Sequence, residues 1–117
     1  MSARLAVRPY AVGLGTPFAS AEEAWFWTAS VLRARREGGS GGNGYRKPPC
    51  EPDDILRCLD RLYRARLIDA AHAQVLQIWG ERQMPPDPGR RGGGERQLWR
   101  EALERLSPIL REKGIVG

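Results

Sequence analysis

Apolar side chains recur at the spacing of an α-helix in four separate segments of this chain, and this periodicity constrains the fold more than any other feature. Two runs rich in glycine and proline, "GGSGGNG" and "MPPDPGRRGGG", and one short turn separate the segments. We therefore predict an all-α fold, a compact four-helix orthogonal domain over residues 16–117 with flexible linkers at 38–49 and 84–94. Residues 1–15 alternate roughly between apolar and polar side chains and are predicted to form an extended N-terminal arm, with a disordered segment as the alternative.

Capping residues set the predicted helix boundaries. Helix 1 begins near Thr16 or Ser20 and runs to about residue 37, and "SAEE" offers a capping box. Helix 2 opens with Glu51-Pro52 and ends near residue 65, and Asp69 caps helix 3, which ends near Gly80. Helix 4 covers residues 95–113, is closed by a glycine and is expected to kink at its proline, residue 108.

A helical wheel assigns a buried face to each of the last three helices. Helix 2 is predicted to bury Ile55, Leu56, Leu59, Leu62 and Tyr63, with Cys58 at the margin. Helix 3 is predicted to bury Ala71, His72, Val75, Leu76, Ile78 and Trp79. Helix 4 is predicted to bury Leu98, Trp99, Ala102, Leu103, Leu106, Ile109 and Leu110.

Helix 1 contains "WFW" at residues 25–27, and three consecutive aromatics cannot share one face. Trp25 and Trp27 fall on two nearly opposite apolar stripes, whereas Phe26 falls on the polar strip between them. Helix 1 is therefore either the central element of the bundle or a contact surface for another chain. We predict Trp25, Phe26 and Trp27 as protein-interaction residues, and the alternative is that the N-terminal arm covers them in the same chain.

Composition favours a single folded domain of 117 residues with a formal charge of +5. Seventeen of the 19 basic residues are arginine, a bias that weakens the charge as an indicator of an anionic partner. The two cysteines and the lone His72 have no zinc-site spacing, and we expect reduced thiols, no metal and no cofactor. No apolar run reaches the roughly 18 residues of a membrane span, and no secretion signal is evident, so a cytoplasmic protein is predicted.

Helices 2 and 3 with their short turn have the dimensions of a helix-turn-helix. In this interpretation Arg57, Arg61 and Arg64 contact phosphates, and Gln74 and Gln77 of helix 3 reach base edges. The turn lacks glycine and the outer face of helix 3 lacks Arg and Lys, so an ordinary helical hairpin with a solvated Arg face is the alternative.

Several segments together resemble a family of short, Arg-rich helical proteins, mainly alphaproteobacterial: "TPFASAEEAWFWT", "KPPCEPDDIL", "HAQVLQIWG", "LWREALERL" and "LREKGIV". The resemblance covers residues 16–37, 48–83 and 95–116. It implies a complete small protein, and it implies no activity, ligand or site residue.

Taken together, these patterns predict a protein that is not an enzyme and has no small-molecule substrate. The leading hypothesis is a small nucleic-acid-binding or regulatory module that uses the basic face of helix 2, with DNA as its partner. The alternative is a homo-oligomeric protein-interaction protein, a homodimer that uses the doubly apolar helix 1.

Overall fold

The computed structural model describes residues 15–38, 48–87 and 94–117, and within these ranges the fold is all-α, as predicted. The helices are α1 (Ala21–Arg36), α2 (Pro52–Arg64), α3 (Ala70–Arg82) and α4 (Gly94–Glu112). The predictions for residues 1–14 of the arm and for most of the two linkers lie outside the described residues. The helix-turn-helix-like detail of α2 and α3 remains a prediction.

The capping signals mark the helix starts correctly. Ser20 accepts a hydrogen bond from the Glu23 backbone N–H at 3.1 Å, while the Glu23 carboxylate accepts from Ala19 rather than from Ser20. Pro52 is the first residue of α2, and Asp69 caps α3 by accepting from two backbone N–H groups. The backbone donors that a helix leaves unpaired at its start are thus satisfied by side chains close in sequence.

A left-handed residue follows the end of each helix: Gly38, Arg66, Gln83 and Gly114 have φ between 58° and 81°. After α2, the Leu67 N–H donates to Leu62 O at 2.9 Å and the Arg66 N–H donates to Tyr63 O at 3.0 Å. This pair of bonds is a Schellman motif, in which glycine usually occupies the position that Arg66 takes here.

α1 and α4 are the central helices, because each of them packs against all three others. α2 and α3 both rest on this pair but make few contacts with each other. Of the two alternatives considered for helix 1, this packing agrees with the central element of the bundle. α4 runs without interruption through Pro108, and its predicted apolar face forms much of the core.

The predicted buried faces of α2 and α3 need correction. Cys58 is buried, whereas Tyr63 is 51% exposed, since the buried side of α2 is turned by roughly 60° toward Ile55, Cys58 and Leu62. On α3, Ala71 is exposed and Ile78 is 38% exposed, since the buried side of this helix is turned by roughly 50° toward Leu76 and Gly80. The helical wheel predicted the width of each apolar face, whereas packing against α1 and α4 determines which side of the helix is buried.

The C-terminal residues complete the core in a way that the sequence did not indicate. Ile115 and Val116 are buried, and Phe18 donates its backbone N–H to Ile115 O at 2.8 Å. Gly117 N–H then donates to Phe18 O at 2.9 Å, so the segment after α4 pairs with the segment before α1. This pairing ties the two ends of the described chain together.

Candidate functional site

Trp25 lies at the centre of the packing between α1 and α3. Its indole Nε1–H donates to the backbone oxygen of Leu76 at 2.9 Å, and both groups are buried. Gly80, one turn further along α3, permits this approach, since a Cβ on Gly80 would lie 2.7 Å from Trp25 Nε1. The close contact of α1 with α3 therefore depends on a glycine.

The other two aromatics of "WFW" are covered by different parts of the same chain. Trp27 is buried, with its ring centroid 5.3 Å from that of Phe18. Phe26, expected to be exposed, is partly buried beneath Trp99 of α4, with ring centroids 5.5 Å apart. The expectation of an exposed Phe26 was wrong because α4 approaches α1 on the side that the wheel assigned to solvent.

A surface groove lies between α2 and α3, where the two helices diverge. We call it the α2–α3 groove; its volume is about 640 Å³. Its lining is mainly apolar, with three polar side chains at the rim: Trp25, Leu56, Leu59, Tyr63, Ile68, Ala70, Ala73 and Leu76, with Asp60, Gln74 and Gln77. A groove of this kind accommodates an apolar side chain or the apolar face of a helix.

The sequence of α2 and α3 explains why the groove stays open. Ala70 and Ala73 face it from α3, and a methyl side chain is too short to reach α2 across the gap. Leu56 and Leu59 are only partly buried, and Tyr63 is half-exposed, so apolar surface remains in contact with water. Burying a half-exposed tyrosine in a complex contributes on the order of 2 kcal/mol by area.

The predicted phosphate-contacting residues, Arg57, Arg61 and Arg64, are all exposed, as expected. Arg57 pairs with Asp54 at 3.1 Å, and Arg64 pairs with Asp60 at 2.8 Å. α2 carries three arginines and three aspartates, so the helix has no net charge.

Gln74 and Gln77 are exposed, as predicted, but they line the α2–α3 groove. The arginine face of α2 lies roughly 130° around the helix from the leucines of that groove. The two parts of the predicted nucleic-acid site therefore face different directions and do not form one basic surface.

His72 is buried and connects the start of α3 to the middle of α4 by hydrogen bonds. Its Nδ1 accepts from the Asp69 backbone N–H at 3.1 Å, and its Nε2–H donates to Glu101 at 2.9 Å. The backbone N–H of His72 donates to the Asp69 carboxylate at 3.3 Å, and this bond holds the pKa of Asp69 below its ordinary value. The bond from the His72 side chain likewise lowers the pKa of Glu101. His72 is therefore buried, as predicted, and both of its ring nitrogens are hydrogen-bonded.

Cys50 and Cys58 are both free and buried. Burial, with Asp54 nearby, raises the pKa of the Cys50 thiol to about 12, and burial also raises that of Cys58. Across residues 15–38, 48–87 and 94–117, no three His, Cys, Asp or Glu side chains are grouped to hold a metal. In the same ranges no helix has the length and apolar character to cross a membrane.

A second cleft, of about 500 Å³, runs along α4 beside the start of α1. Its walls carry Glu22, Arg96, Arg100 and Glu104, and Glu22 accepts the indole N–H of Trp99 at 2.9 Å. This cleft is therefore more charged at its walls than the α2–α3 groove, whose rim holds one ionisable carboxylate.

Searches with the chain found no matching family model and no match among curated proteins or solved structures. The candidate site therefore rests on geometry. Sequence reasoning placed Leu56, Leu59 and Tyr63 in the core and so missed the groove that they line. The available signal was Ala70 and Ala73, two small residues on the outer face of helix 3.

Proposed function

We propose that this protein is a protein-interaction module that binds an apolar helix face in the α2–α3 groove. The observation that carries the proposal is the half-exposed Tyr63 beside Leu56 and Leu59, above a floor formed by Trp25. Partly exposed apolar surface in a concave, preformed site is typical of helix-binding proteins. The module works in the cytoplasm, where its two cysteines stay reduced.

The proposed interaction surface is the α2–α3 groove and differs from the surface on helix 1 that the sequence predicted. Trp27 is covered by Phe18, and Phe26 is partly covered by Trp99, so neither offers a large apolar contact to another chain. Trp25 keeps a role, because it lines the α2–α3 groove from below. An interaction through apolar contact is therefore supported best at the groove.

Two exposed alanines of α3 allow a matched test. Ala73 lines the groove, whereas Ala71 is exposed and does not line it. Helical peptides with one apolar face would be selected from a display library against the wild-type protein. We expect Ala73→Glu, which places a carboxylate in the groove, to abolish their binding, and Ala71→Glu to preserve it. Equal binding to both variants, or no enrichment of such peptides, would contradict the proposal.

Nucleic-acid binding is the second candidate function, favoured by the exposure of Arg57, Arg61 and Arg64 along α2. Two of these arginines already pair with aspartates, although exposed pairs are weak and phosphate could displace them. Fluorescence anisotropy with labelled duplex DNA at several salt concentrations tests this function. Affinity that falls steeply with salt and is lost when all three arginines become alanine supports it. No binding at low salt removes it.

A further inference from the structure

We propose that the α2–α3 groove binds a second copy of this chain, with the two α2 helices antiparallel about a two-fold axis near Leu59. This inference rests on the proposed function and names its partner. Two observations support this inference: the order of the charged residues along α2, and the position of the apolar side chains relative to those charges.

Four charged residues alternate in sign along one edge of α2: Asp53, Arg57, Asp60 and Arg64. All four are exposed, and at 100° per residue they fall on a strip about 60° wide. Asp60 also lines the groove, so this strip borders it. A helix that occupies the groove would therefore lie beside this strip, with Asp60 nearest to it and Arg57 and Arg64 farther round α2.

Reversing the direction of this strip exchanges every acid for a base. In an antiparallel pair centred between residues 58 and 59, Asp53 faces Arg64 of the second copy, and Arg57 faces Asp60 of the second copy. A parallel pair would instead place like charges opposite each other. The charge pattern is thus complementary to itself in one orientation, as a two-fold interface requires.

The apolar side chains give nearly the same axis. Placing Leu56 opposite Tyr63 of the second copy centres the pair between residues 59 and 60, one residue from the centre given by the charges. Leu59 then lies close to the axis and meets its own counterpart. Ala73 lets the incoming helix approach closely, because its side chain is exposed and short. The apolar and the charged contacts therefore favour the same antiparallel arrangement of the two α2 helices.

The existing ion pairs of α2 do not oppose this arrangement. Arg64 and Asp60 are 2.8 Å apart, with 78% and 57% of their side-chain surfaces exposed. Each retains free surface, and Arg57, which pairs with Asp54, is itself 74% exposed. Asp60 can therefore accept from Arg64 of its own chain and from Arg57 of the second copy. The contact would join isolated surface ion pairs into a network, and a network contributes more to stability than single exposed pairs do.

The expected dimer is weak. α2 and α3 are each 13 residues long, so together they present a projected face of roughly 20 × 20 Å, or ~400 Å². A standard stable interface buries about 800 Å² on each partner, so we expect a dissociation constant in the micromolar range or weaker. Sedimentation equilibrium should therefore cover concentrations from about 5 µM to about 1 mM.

The experiment compares the full chain with five variants. Ala73→Glu should remove the dimer, and Ala71→Glu should leave it unchanged. Asp53→Arg and Arg64→Asp should each weaken it on the order of tenfold, since each change disrupts two symmetry-related contacts. Combining the two substitutions should restore the dimer. Asp53→Arg opposes the dipole at the start of α2, so recovery by the double variant cannot come from a more stable monomer.

The outcomes separate this inference from the proposed function. A monomeric wild-type protein over the whole range overturns the second copy as partner, while peptide binding sensitive to Ala73→Glu would leave the interaction function standing. A dimer that persists in Ala73→Glu overturns the groove as its interface. A double variant as weak as either single variant overturns the antiparallel order of α2. Circular dichroism of every variant verifies that the helices are intact.

Discussion

Replacing Gly80 with alanine tests the packing of α3 against α1, because two effects of opposite sign compete at this position. Alanine in a helix is favoured over glycine by roughly 0.5–1 kcal/mol. Against this, the new Cβ would lie 2.7 Å from Trp25 Nε1 and 3.1 Å from the Ala29 Cβ. The indole cannot keep its place, and its hydrogen bond to Leu76 O is then strained or lost.

The structural cost exceeds the gain in helix propensity. Overpacking a tight contact costs about 1–3 kcal/mol, and leaving a buried N–H and its acceptor unsatisfied costs about 1–3 kcal/mol more. After subtraction of the propensity term, we expect Gly80→Ala to lower the free energy of unfolding by about 3 kcal/mol. For a chain of this length that corresponds to a fall in Tm of about 12 °C.

Urea unfolding followed by tryptophan fluorescence measures this change directly. Gly94→Ala is the control, since a Cβ on Gly94 meets no atom within 4 Å and should leave stability unchanged or slightly raised. The one-dimensional proton spectrum should also show a shifted Trp25 indole resonance in Gly80→Ala. A variant at position 80 that is as stable as the wild type, with that resonance unmoved, would refute the account of this contact.

Three further predictions concern a helix end, a partly buried hydrogen bond and a thiol. Arg66→Gly should raise the free energy of unfolding by roughly 0.5–1 kcal/mol, because Arg66 has φ of 64°. Arg64→Gly, inside α2, should lower the free energy of unfolding, and urea unfolding measures both changes. The pKa of Glu101 is lowered mainly by its hydrogen bond to His72, so the unfolded state binds more protons near the ordinary value of 4.5. Stability measured by urea midpoint should therefore fall as pH drops from about 5 to about 3, and less so in Glu101→Gln. Cys50, with a pKa of about 12, should react with a disulfide reagent far more slowly in the folded protein at pH 8 than in urea, and equal rates would contradict its burial.

Local chemistry made the helix boundaries predictable. Ser20, Pro52, Asp69 and Gly114 each act on backbone groups only a few residues away, and the structure uses all four as the sequence indicated. The apolar face of α4 was predictable for a related reason. Its apolar stripe is long and regular, so its direction is well determined by the sequence alone.

Burial on the shorter helices depended on how the helices pack, which periodicity does not specify. Tyr63 and Ile78 lie on apolar stripes but are exposed, because α2 and α3 rest on α1 and α4 and diverge from each other. The groove exists because the two helices diverge, so the sequence of either helix alone could not predict it. Gly80 was likewise anticipated only as a helix end, since its contact with Trp25 joins residues far apart in the chain.

Whether the α2–α3 groove is the interaction surface can be decided by ¹⁵N amide NMR spectra of the wild-type protein, recorded with and without a selected helical peptide. We expect the shifts to concentrate at groove residues such as Leu59, Tyr63 and Ala73, and the exposed face of α4 to be unaffected. Shifts confined to α1 and α4, or to the arginine face of α2, would contradict this expectation.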